Sequence, residues 1–200
     1  MSTAVLRPPR SANPAPLESL PIPEEPLYEI VHGLVVELPP MSFLASIVAS
    51  RLQNRMGLFV ETHRLGIVVT EALFILDSTS NLRRRPSLAF VSIARWPLDQ
   101  PVPATGDGAV VPDLAVEVMT PNDMMLEVIA KLREYFRYGV RQVWLVLPQH
   151  EQIHVYESPT RNRILSREDT LDGGTLLPGF QLPLTELFPP RDSVQASPPA

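Results

Sequence analysis

Glu117 lies in an apolar run from Val110 to Met119 whose one other acidic residue is Asp113. A carboxylate placed in apolar surroundings is costly unless a cation, a metal ion or hydrogen-bond donors meet it. Glu71 raises the same question, because it interrupts the apolar stretch Ile67 to Leu76. Carboxylates carried on neighbouring strands suit a hard divalent ion, Mg²⁺ or Mn²⁺, which would polarise a phosphoryl oxygen and lower the pKa of a bound water. The cation candidate is Lys131, the single lysine of a chain with 17 lysines and arginines in all. Lysine differs from arginine in offering a compact, deprotonatable ammonium, so its use at one position alone points to chemistry at that position. A salt bridge and a catalytic pair are both consistent with Lys131 beside Glu117.

These residues need elements to position them. Period-two alternation along Val110 to Met119 puts Asp113, Ala115, Glu117 and Met119 on one face of a strand that is apolar enough to be central. Asp113 and Glu117 are then roughly 13 Å apart, too far for one ion to bind both directly. Thr120-Pro121-Asn122-Asp123 has the chemistry of a helix start, predicting a helix from Pro121 to Tyr138 with Gly139 as its stop. If that helix folds back, three strand residues forward, about 10 Å, and ten helical residues back, about 15 Å, bring Lys131 level with Glu117. Tyr135, Tyr138, Trp96 and Trp144 read as packing residues.

Upstream, Tyr28 to Ile30 and Leu34 to Leu38 flank His32-Gly33 as an opening β-hairpin. Ser42 caps a long amphipathic helix running to about Thr62. Ile67 to Leu76, Leu88 to Ile93, Gln142 to Leu147, Gln152 to Glu157 and Arg163 to Ser166 read as strands, with an irregular loop from Ala94 to Gly108 and a tight turn at Asp172-Gly173-Gly174. The order is α+β, with an N-terminal hairpin and a mixed sheet flanked by helices. Residues 1–26 hold seven of the 23 prolines and read as an extended arm, 27–188 as one domain, and 189–200 as a tail resembling the arm.

Composition removes several classes. The chain has no cysteine, which excludes disulfides, thiolate metal sites and cysteine nucleophiles and fits a reducing cytoplasm. No apolar run reaches membrane-spanning length and no secretory leader is visible, so the expected location is the cytoplasm, without a membrane partner. A net charge of −5 argues against a broad electrostatic footprint on nucleic acid. Arg83-Arg84-Arg85 is the densest positive run and reads either as a phosphate contact or as a solvated hairpin tip. His150 and His154 straddle a strand start and do not read as a metal pair.

The ordered set Pro112-Asp113, Glu117, Thr120-Pro121-Asn122-Asp123, Lys131, Tyr135, Gly139-Val140 and Val143-Trp144 closely resembles the Uma-type restriction endonuclease family. Tyr28-Glu29, His32-Gly33, Pro39-Pro40-Met41, Glu71, Thr170 to Gly174 and Leu177 to Phe180 extend the likeness over about residues 27 to 188. That family resembles the PD-(D/E)XK nucleases, so the resemblance implies a restriction-endonuclease-like fold and Mg²⁺-dependent hydrolysis of DNA phosphodiesters. It implies Glu117 as the central metal ligand, with Asp113 and Glu71 assisting. Lys131 would orient or activate water from the helix, replacing the lysine usually two residues after the glutamate, where this chain has Met119. Two copies would be needed to cut both strands, so a homodimer is expected by analogy. Two positions depart from the family: Ser87 stands where it has an aspartate and Ala45 where it has a histidine. A serine is a neutral, poor ligand for Mg²⁺, so the expectation divides between an active endonuclease and a nuclease fold that has lost hydrolysis and acts as a binding or interaction module.

Overall fold

The computed structural model describes residues 26–104 and 106–190. The arm expected over 1–26 and the tail expected over 189–200 otherwise lie outside the described residues. The chain opens with the expected hairpin, β1 (Tyr28–Val31) and β2 (Leu34–Glu37). His32 and Gly33 both take positive φ, 50° and 82°, as a two-residue turn between right-twisted strands demands. Helix α1 (Phe43–Thr62) follows, with the Ser42 side chain accepting from the Ala45 N–H. Its inward positions Ala45, Val48, Leu52, Met56 and Val60 recur at helical spacing. Ala45, where the resemblance leads one to expect a histidine, is thus a core residue.

Strands β3 (Gly66–Thr70), β4 (Phe74–Asp77), β5 (Leu82–Arg84) and β6 (Leu88–Ser92) precede the central β7 (Leu114–Val118). Helix α2 (Met125–Arg137) connects β7 to β8 (Gln142–Leu147), and β9 (Gln152–Ser158) and β10 (Arg161–Ser166) extend the sheet. A two-stranded β11 (Thr170–Asp172) and β12 (Gln181–Pro183), then α3 (Leu184–Leu187), complete the described fold. The main sheet has the order β10-β9-β8-β7-β6-β3 and a smaller one the order β2-β1-β5-β4. β7 and β8 run parallel across the α2 crossover, and the other neighbours in the main sheet are antiparallel. The α+β expectation with a mixed sheet holds.

The two faces of β7 pack against different layers. Leu114, Val116 and Val118 join α1 and the C-terminal segment in one core. Ala115 joins Val128, Leu132 and Tyr135 of α2 and Phe74, Leu76 and Leu82 of the small sheet in the other. Glu117 therefore faces α2, as the alternation requires. Among the described residues no helix is long and apolar enough to cross a membrane.

Four local expectations fail for identifiable reasons. The stretch Ile67 to Leu76 is two strands in two sheets, because Glu71 takes a left-handed φ of 49° and turns the chain between them. The strand expected over Val110 to Met119 is confined to Leu114–Val118. Helix α2 begins at Met125 and not at Pro121, because the Asp123 carboxylate accepts the Thr120 N–H in a separate turn. Arg83-Arg84-Arg85 is no hairpin tip: its first two residues lie in β5, and period two turns Leu82 and Arg84 inward together.

His154 on β9 has a buried Nε2 without a hydrogen-bond partner, and burial, then the charge of His150, lowers its pKa from the usual value. A folded-state pKa below the unfolded one gives stability that is present above about pH 6.5 and lost as pH falls from there through the folded value. We expect the urea midpoint to fall between pH 7.5 and 5.5, and to fall less in His154→Leu. An equal fall in both proteins would assign the acid sensitivity elsewhere.

Candidate functional site

The apolar requirement of β7 and the amphipathic pattern of α2 bring Glu117 and Lys131 together. Lys131 Nζ lies 3.4 Å from Glu117 Oε1 and 3.0 Å from Glu29 Oε1. The Tyr135 hydroxyl, one helical turn beyond Lys131, donates to Glu117 Oε1 at 2.7 Å. Glu29 comes from β1 and is 1% exposed. It accepts from the Arg85 N–H at 2.9 Å and pairs with Arg84 at 2.7 Å, and Arg84 also reaches Glu134 at 2.6 Å. Hairpin, small sheet, central strand and α2 are thus tied by one chain of charges.

Burial raises the Glu117 pKa; Lys131 pulls it down, Glu29 pushes it up, and the Tyr135 hydroxyl pulls it down, with a net rise. For Lys131, burial opposes the charge, but Glu117 and Glu29 outweigh it and hold the pKa above the ordinary lysine value. Lys131 is therefore held in its charged form between the two carboxylates. Tyr135 is pushed well up by burial and by Glu117, so it stays a donor.

Above this network opens a pocket of about 100 Å³, lined by Glu117, Lys131, Glu71, Arg85, Ser87 and Asp123 among others. That is room for several waters or a phosphate group. Glu71 stands on its rim, where its main-chain N–H donates to Ser87 O at 3.3 Å and its carbonyl accepts from Arg85. Ser87 Oγ accepts the Val118 N–H at 3.1 Å. Asp113, expected in the site, lies elsewhere. It precedes the opposite end of β7, where its carboxylate accepts from the Ser92 N–H at 2.9 Å and pairs with Arg95 at 3.2 Å. It is a structural anion, separated from Glu117 by the length of the strand.

Do these residues fit a divalent ion? Glu117 is the buried carboxylate lining the pocket, with its Oε1 shared by Lys131 and Tyr135, and Glu71 lines the pocket from an exposed position on the rim. Asp113 is turned away, Ser87 is neutral, and Asp123 is engaged with its own turn. Among the described residues no group of three or more metal-ligating side chains is placed to hold an ion. The donor set does not fit a resident Mg²⁺ or Mn²⁺.

Sequence reasoning missed Glu29 and Arg84. The signal was present in both: an acid inside Tyr28 to Val31, and an arginine two residues after Leu82 on the same side of a strand.

The family model described as "Uma2: Putative restriction endonuclease" matches residues 14–185. A solved structure described as a "putative nuclease belonging to DUF820", from Anabaena variabilis ATCC 29413, superposes with a TM-score of 0.72 at 17% identity, covering 86% of this chain and 94% of that one. At that identity the likeness speaks for the fold, which is nuclease-like. No curated protein matches the chain. With the family model spanning both the hairpin that carries Glu29 and the strand and helix that carry Glu117 and Lys131, the chain belongs to the Uma2 family.

Proposed function

We propose that this member of the family binds DNA at the Glu117–Lys131 pocket and has lost ion-dependent hydrolysis. The observation that carries the reading is Ser87. Its hydroxyl is neutral and already accepts a main-chain N–H, so position 87 supplies no anionic oxygen to hold an ion beside Glu117. Lys131 balances Glu117 instead. The ammonium, 17% exposed at its side chain, and the Arg85 guanidinium both line the pocket and supply positive charge for a phosphate oxygen. Tyr135 and Glu29 hold Lys131 and Glu117 in place from beneath. Family membership and the nuclease-like fold support a nucleic-acid ligand; DNA is the choice the family's restriction endonuclease description favours.

One observation favours a second reading, residual hydrolysis: Glu117, Lys131 and Tyr135 keep a tight constellation that could still stabilise charge on a phosphate. The two readings separate in one experiment. Binding of a labelled DNA in EDTA, together with supercoiled plasmid left intact by the wild type in Mn²⁺, is expected. Mn²⁺-dependent nicking by the wild type that disappears in Glu117→Ala would overturn the loss of hydrolysis.

A further inference from the structure

Phe43, the first residue of α1, is 84% exposed. Among the described residues it is the most exposed of the large hydrophobics, while α1 buries Val48, Leu52 and Met56 on another face. At 3.6 residues per turn, Phe43, Ser46, Ser50 and Gln53 fall within roughly an 80° sector of the helix surface, beside its buried face. Phe43 and Ser50 are seven residues apart, nearly in line and about 10 Å from one another along the axis.

The same sector borders a second cavity. Ser46, Ser50 and Gln53 line it together with Thr70 at the end of β3, and its volume is about 210 Å³. Met41, Glu71 and Ser87 line both this cavity and the pocket above Lys131, so the two form one continuous groove. Its α1 side holds hydroxyls and an amide and no cation. The arginines of α1 sit on the opposite flank, Arg51 donating to Leu187 O at 3.2 Å and Arg55 pairing with Glu186 at 2.9 Å.

We infer that this groove is a track for single-stranded nucleic acid, with Phe43 stacking on an unpaired base and a phosphate of the same strand seated at Lys131 and Arg85. The inference deepens the reading of the pocket as a DNA site and rests on it. Three features select a single strand. An exposed aromatic needs a free base face, which a paired strand keeps inside its helix. An α1 wall of serines and a glutamine offers hydrogen bonds to a flexible strand, whereas duplex binding depends on many lysines and arginines along the backbone. The net charge of −5 supplies no such surface.

The test is fluorescence anisotropy in EDTA with a labelled 12-nucleotide mixed-sequence DNA, run beside a blunt hairpin duplex of the same sequence. The single strand is expected to bind more tightly than the duplex. Phe43→Ala is expected to weaken single-strand binding about tenfold, within the range for loss of one stacked base, and Phe43→Trp to retain it. The slope of log K against log salt is expected near roughly −0.7, as for one phosphate. Equal affinity for strand and duplex, or Phe43→Ala binding like the wild type, would overturn the track. So would concentration-dependent self-association lost in Phe43→Ala, which would give the ring to a second copy of the chain. Plasmid nicking is read separately: it decides the fate of hydrolysis and leaves the anisotropy result standing.

Discussion

Ser87→Asp is expected to create a divalent-ion site, binding Mn²⁺ roughly a hundredfold more tightly than the wild type. Ser87 immediately precedes β6, beside the strand that carries Glu117, and its Oγ touches the Val118 N–H. An aspartate there can keep that hydrogen bond with one oxygen and turn the other into the pocket. A unit charge at about 4 Å is worth about 4 kcal/mol at an effective dielectric of 20, and taking the carboxylate and the ion out of water offsets part of that. About 2–3 kcal/mol surviving gives the hundredfold figure. Ser87→Asn is the control of matched size without the charge. Manganese binding followed by electron paramagnetic resonance should rise for Asp and stay at the wild-type level for Asn. If Asn gained as much as Asp, the charge argument would fail. Nicking of plasmid by Ser87→Asp, where the wild type leaves it intact, would complete the reversal.

Lys131→Met should be the most destabilising single change in the pocket, at about 3–5 kcal/mol by urea denaturation. The substitution keeps the length of the side chain and removes the charge shared by Glu117 and Glu29. Glu29 retains Arg84, but Glu117 retains only a neutral hydroxyl donor. Exposed pairs are worth well under this, and the contrast is the test: a cost below about 1 kcal/mol would mean that water already screens Lys131. Adding Glu117→Gln should recover most of the loss, since the stranded charge goes with it. The double-mutant cycle then yields a large coupling between positions 117 and 131. Additive losses would instead show that Lys131→Met acts through packing alone.

The faces of β7 were legible from alternation because both are buried and any slip in register would expose one of them. Proximity of Lys131 to Glu117 followed from strand rise and helix rise, and survived a misplaced helix start because Lys131 lies well past the first turn. Asp113 fell just outside the strand and met other partners, since Arg95 reaches it from a loop with no periodic signal. The Thr120-Pro121-Asn122-Asp123 motif formed its hydrogen bond in a free-standing turn, a choice its residue types leave open. Glu71 turned the chain despite strand-forming neighbours, at a local cost of about 1–2 kcal/mol for a left-handed residue. Arg84 was hidden by its neighbours in the run: a triplet of like charges looks solvated until a strand sends the middle one inward, to carboxylates that are distant in sequence.

The burial of the sole lysine makes the pocket selectively addressable. Apart from the amino group at its first residue, the chain offers one primary amine, and that amine sits between Glu29 and Glu117. Growth on ¹⁵N-lysine would place a single side-chain resonance in the spectrum, reporting occupancy of the pocket without any engineered probe.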